Sequence, residues 1–150
     1  MADMQYAPHR PGYYGAYEKL EDGRPRAALA ETEARALAEK YDVRRLSRNA
    51  YSLLLRDLRR SGYITPQAFS AGYGGTLPHG TMEPAELLPL GDNEADFIAL
   101  LEQYVRCCDE FLKVSAGNDA ERAHAQSLLD TYSRLYALFK QIRDAAPDIQ

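Results

Sequence analysis

Two apolar seams near the C-terminus constrain this chain more than any other feature. In "ADFIALLEQYVRCCDEFL", the residues Phe97, Leu101, Tyr104, Cys108 and Phe111 recur at steps of 4, 3, 4 and 3. Beyond "AGND", the residues Ala125, Leu128, Tyr132, Leu135, Phe139 and Ile142 recur at 3, 4, 3, 4 and 3. Steps of this kind keep apolar side chains on one face of a helix. Between the seams Gly117 is the expected terminator and Asn118 or Asp119 the expected new cap. A connection this short allows only an antiparallel return. Asp92 or Asn93 is expected to cap the first of the two helices. Each should run roughly 35 Å at about 1.5 Å per residue. Leu100, Leu129 and Tyr136 widen the stripes beyond a two-helix contact, so a third element is needed to cover them. The expected fold class is therefore all-α, a helical bundle built on a long antiparallel C-terminal hairpin and packed by shorter N-terminal helices.

Those shorter helices are legible upstream. "AALAETEARALAEKY" is rich in strong helix formers and sets Ala30, Ala34, Leu37 and Tyr41 on one face, predicting a helix over 27–41. Ser47 stands where a cap belongs, and Tyr51, Leu54, Leu55 and Leu58 then form a core-facing stripe over 47–61. Gly62 supplies a left-handed terminator, with Tyr63 or Ile64 folding back onto the last turn. Thr65 caps a further short helix that has Pro66 at its first position. Residues 1–26 carry Pro8, Pro11 and Pro25 with Gly12, Gly15 and Gly23 and no periodicity, which reads as an irregular, tyrosine-bearing arm. Residues 27–150 are expected to form one helical domain interrupted by a glycine- and proline-punctuated loop over 74–91.

Charge is distributed unevenly about a net −4. Residues 43–63 hold six arginines against Asp57 alone, or +5, whereas residues 64–150 hold six basic and thirteen acidic residues, or −7. Arg44, Arg45, Arg48, Arg56, Arg59 and Arg60 are thus a basic belt on an acidic body, and they are the candidate contacts for an acidic partner protein. Arg48, Ser52, Arg56 and Arg60 make a four-residue row expected on the side opposite the core stripe. A calcium loop is excluded at the break after this helix, since no Asp, Glu or Asn lies between Arg59 and Phe69. A sequence-reading helix-turn-helix fares poorly as well, because "PQAFSAGY" offers base edges only Gln67 and Ser70. The alternative function kept from this region is a nucleic-acid-binding regulator that uses the arginine-rich helix 47–61 on phosphates.

No catalytic or metal-binding constellation is visible, and no cofactor is expected. His9, His79 and His124 stand apart from cysteine, serine and carboxylate at motif spacing, and only His79, in "LPHG", falls in a loop that invites a functional role. "GYGGTLPHG" lacks the Lys-Ser/Thr ending of a phosphate-binding loop. The adjacent Cys107 and Cys108 point roughly 100° apart on a helix and cannot readily bridge each other; Cys108 falls on the seam and Cys107 towards the flank. With no apolar run of about 18 residues and no secretory leader in the first 20, a reduced cytoplasmic protein without membrane contact is expected.

The succession "YDVRRLSRNAYSLLLRDLRRSGYITPQAF", a proline- and glycine-rich loop, and "ADFIALLEQYVRCCDEFL" resembles a group of small uncharacterised bacterial proteins associated with flagellar genes. The matching positions are Asp42, Val43, Arg44, Ser47, Gly62, Ile64, Asp96 and Phe97, over about half of the chain. The double cysteine, the tyrosine-rich arm and the long last helix are additions to that pattern. The resemblance implies a bacterial cytoplasmic accessory protein and brings no chemistry with it. A non-enzymatic protein-binding module, as adaptor, chaperone or regulator, is the expected function, and the long seams would also serve a homodimer.

Overall fold

The computed structural model describes residues 25–26, 28–71, 89, 91–114 and 118–146. The N-terminal arm except Pro25 and Arg26, the 74–91 loop except Pro89 and Gly91, and with them His9, His79 and Gly117, lie outside the described residues. In chain order the elements are α1 (Glu31–Lys40), β1 (Leu46–Ser47), α2 (Arg48–Arg60), α3 (Pro66–Ala71), β2 (Glu94–Ala95), α4 (Phe97–Lys113) and α5 (Asp119–Ala145). The described residues are mostly helical.

Every described helix but α1, whose N-cap is Ala30 with no side-chain bond, begins where the sequence supplies an acceptor for orphan amides. Ser47 Oγ accepts from the Ala50 amide at 3.1 Å, and Thr65 Oγ1 from the Ala68 amide at 3.0 Å. Asn118 and Glu121 form a reciprocal capping box, the Asn118 side chain accepting from the Glu121 amide at 2.8 Å and Glu121 accepting from the Asn118 amide at 2.9 Å. α2 ends in the paired bonds of a Schellman motif. The Tyr63 amide donates to the Leu58 carbonyl at 2.9 Å, the Gly62 amide donates to the Arg59 carbonyl at 3.1 Å, and Gly62 takes a φ of 83°.

Three local expectations are corrected. The cap of α4 is Asp96 rather than Asp92 or Asn93, its Oδ1 accepting from the amides of Ile98 at 2.9 Å and Ala99 at 3.2 Å. The reason is a two-residue antiparallel ladder, Leu46 against Ala95 and Ser47 against Glu94, which keeps residues 94–95 extended. An N-cap itself has extended dihedrals, so the approaches to α2 and α4 can lie side by side and pair. Next, α1 starts at Glu31, not at residue 27, because the amides before it are captured at long range. Arg26 N donates to Gly62 O at 2.9 Å, Leu29 N to Gln141 Oε1 at 3.1 Å and Ala30 N to Tyr63 Oη at 3.3 Å. Finally, the last two helices are unequal, at 17 and 27 residues, or about 25 and 40 Å.

The end of α4 lies against the start of α5, where Arg122 Nη2 donates to the Leu112 carbonyl at 3.0 Å. Midway, the rings of Tyr104 and Tyr132 sit 5.1 Å apart. At the other end Tyr51 of α2 stacks on Phe97 at 4.4 Å and meets Phe139 edge-on at 5.9 Å, so one aromatic cluster joins α2, α4 and α5. All eleven residues of the two seams are buried. So are Leu100, Leu138 and Cys107, the last against the expectation of a flank position. α1 packs on α5.

Candidate functional site: the arginine face of α2

α2 buries Tyr51, Leu54, Leu55 and Leu58, which fixes what its other side presents. Steps of four on a 3.6-residue helix advance by about 40°, so the row Arg48, Ser52, Arg56, Arg60 winds across the surface rather than running straight. Accordingly Arg48, Arg56 and Arg60 are exposed, whereas Ser52 is half-buried. The middle of the outward face belongs to Asn49, Leu53, Arg56 and Arg60, and Leu53 is 38% exposed. That leucine escaped the sequence reading, although placing "SLLLR" on a helical wheel sets Leu53 opposite the core stripe.

The six candidate arginines have different fates. Arg44 Nε is 3.8 Å from Asp42 Oδ1, and Arg45 Nη2 is 3.3 Å from Glu94 Oε1 beside the short ladder. Both are surface pairs of the kind that contributes about 0–1 kcal/mol. Arg59 is half-buried and lies over the Phe69 ring at 5.0 Å, in cation–π range. Arg48, Arg56 and Arg60 make no ion pair among the described residues. The one acid of the belt, Asp57, is already engaged, for its Oδ2 accepts from Tyr41 Oη at 2.7 Å and from Lys40 Nζ at 3.0 Å. That hydrogen bond holds the Lys40 ammonium above its usual pKa, and burial foremost, then Asp57, raises the Tyr41 phenol. Three exposed guanidiniums and one exposed leucine therefore lie on the surface of α2, and among the described residues no carboxylate pairs with those arginines.

A second polar cluster has no counterpart in the sequence reading, since its members are far apart in the chain. Arg134 of α5 donates from Nε and Nη2 to the Tyr63 carbonyl at 3.2 and 2.9 Å, and from Nη2 to the Arg26 carbonyl. Tyr63 Oη donates to Glu33, whose carboxylate lies 3.5 Å from Arg26 Nη2, and the Arg26 guanidinium sits over the Tyr63 ring at 4.6 Å. Burial pushes the Arg134 pKa down and the Tyr63 pKa up. The contacts named here all lie within the chain. This cluster anchors residues 25–33 to the corner after α2.

Among the described residues no three His, Cys, Asp or Glu side chains converge as a metal site requires, and no helix is long and apolar enough to cross a membrane. Cys107 and Cys108 are both buried and are not joined in a disulfide. Burial, and secondarily its neighbour Cys107, pushes the Cys108 thiol up from 9.0 to about 11. At about pH 8 this leaves roughly a hundredfold less thiolate on the folded protein than on an ordinary cysteine. Iodoacetamide should accordingly modify Cys108 at least that much more slowly in native protein than in guanidinium, read by peptide mass spectrometry; comparable rates would contradict the burial. The raised value also has a stability consequence. Between about pH 9 and 11 the unfolded thiol has ionised while the folded one keeps its proton, so the unfolded state gains and stability falls as pH rises.

No family model, no curated protein and no solved structure matches the chain.

Proposed function

We propose that the chain is a non-enzymatic protein-binding module whose docking surface is the arginine face of α2, and that it serves as a bacterial cytoplasmic accessory protein of the flagellar or secretion type. Within this proposal α4 and α5 act as a rigid antiparallel hairpin on which α1 and α2 are mounted as one helical bundle. The observation that carries it is the exposure of Arg48, Arg56 and Arg60 together with Leu53, while Asp57 is occupied by Lys40 and Tyr41. An arginine that pairs within its own chain is already satisfied. These three, which make no ion pair among the described residues, would meet carboxylates brought by another molecule, and arginine is the residue best suited to grip carboxylate in a fork.

Because all three side chains are exposed, their substitution leaves the core untouched and should change stability by no more than about 0.5 kcal/mol. Combined Arg48→Glu, Arg56→Glu and Arg60→Glu is expected to abolish capture of the partner at physiological salt while the circular dichroism spectrum and unfolding midpoint stay those of the native chain. Undiminished capture by the correctly folded variant would remove the arginine face as the docking surface. The native interaction should also weaken with added salt, as contacts between exposed charges do.

A further inference from the structure

The shape of the arginine face narrows the class of partner. This step rests on the reading of α2 as a docking surface. Arg48 and Arg56 stand about 12 Å apart along the axis, and Arg60 about 6 Å further on. Ser52 fills the intervening four-residue position, and Leu53 is exposed alongside Arg56. The charges follow a winding i, i+4 line, the same line along which ridges run on any other helix. Extended peptides are held differently, by main-chain pairing to a sheet edge, and α2 has no such edge to give. Nucleic acid would use the guanidiniums but has no use for Leu53, and the −7 carried by residues 64–150 opposes a long polyanion.

We infer that this face receives an acidic amphipathic α-helix from another protein, one that presents carboxylates at successive four-residue steps beside an apolar residue that covers Leu53. The described helices of a second copy do not meet that description. α1 has acids at Glu31, Glu33 and Glu39, α4 at Glu102, Asp109 and Glu110, and α5 at Asp119, Glu121, Asp130 and Asp144. None of these helices places two of them four residues apart. Several are also engaged at home, Asp109 by Lys113, Glu121 in the cap of α5 and Asp144 by Arg143. The partner's helix thus brings a row of charge that these described helices lack.

The test uses the full chain and a labelled, alanine-based helical peptide of about 18 residues with glutamates at four-residue steps beside a row of leucines, followed by fluorescence anisotropy at about 50 and 150 mM salt. A control peptide has the same composition with one central alanine exchanged for proline, which breaks the helix and keeps the charge. Native chain should bind the helical peptide and bind the proline peptide at least about tenfold more weakly. Arg56→Glu with Arg60→Glu should abolish binding, and Leu53→Ser should weaken it about five- to tenfold through lost apolar contact. Equal binding of both peptides would overturn the helical partner while leaving the arginine face as an acid-binding surface. Failure to bind either peptide at about 50 mM salt would overturn the inference outright. So would displacement of the peptide at about 150 mM salt by a duplex of about 20 base pairs, which would assign the arginines to phosphate.

Discussion

Tyr51→Ala is expected to destabilise the protein by about 3–5 kcal/mol, the range for deleting a large aromatic from a tight core. Tyr51 is almost wholly buried, stacked 4.4 Å from Phe97 and edge-on 5.9 Å from Phe139. Its ring is the point at which α2 grips the first turn of α4 and the later part of α5 together. Truncation removes the ring's burial, forfeits two aromatic pairs and leaves a cavity lined by residues that three different helices hold in place. Urea denaturation followed by far-ultraviolet circular dichroism checks the effect, with Arg56→Ala as the surface comparison expected within about 0.5 kcal/mol of native. A Tyr51→Ala midpoint indistinguishable from native would mean that α2 is not seated on the long helices in this way. The functional corollary is direct. An arginine face can act as a surface only while α2 is held, so the same variant should lose partner binding without any change in the arginines.

Arg134→Leu should follow, at about 2–4 kcal/mol. One guanidinium serves the carbonyls of Tyr63 and Arg26, residues 71 and 108 positions away in sequence. Leucine has much of the bulk and none of the donors, so it leaves those carbonyls without the charge-assisted bonds that compensate them. Arg134→Lys keeps the charge but not the planar fork, and should recover only part of the loss. Hydrogen exchange separates this from a simple packing defect. The amides of Arg26 and Leu29, which donate to Gly62 and Gln141, should lose protection well before the amides of α4. Unchanged protection at Arg26 and Leu29 would show that Arg134 does not hold residues 25–30 in place.

The sequence spoke most clearly where a local physical rule determined the outcome. The seam residues Phe97, Leu101, Tyr104, Cys108 and Phe111, and those from Ala125 through Leu128, Tyr132, Leu135 and Phe139 to Ile142, obey helical periodicity, and all of them are buried. Ser47, Thr65, Gly62 and Asn118 stop or start helices because a hydroxyl, a missing side chain or an amide oxygen does so within a few residues. What stayed hidden was set by residues distant in the chain. Leu46 and Ser47 pair with Ala95 and Glu94 from a distant part of the chain, and that pairing moved the cap of α4 to Asp96. Leu29 and Ala30 were predicted helical from composition, but their amides are taken by Gln141 and Tyr63. Of the candidate site, the arginine positions were legible and their fates were not. Nothing local distinguishes Arg45, which meets Glu94, from Arg56, which meets no described carboxylate. Nor does anything local show that Asp57, the one acid among these arginines, is held by Tyr41 and Lys40.

Native and charge-reversed chains, the latter carrying Arg48→Glu, Arg56→Glu and Arg60→Glu, should be used as paired baits on one native lysate, each split into nuclease-treated and untreated halves and read by mass spectrometry. An arginine-face docking surface predicts one or two proteins enriched on the native bait in both halves and absent from the reversed bait. Enrichment that disappears on nuclease treatment, or that persists on the reversed bait, would contradict it.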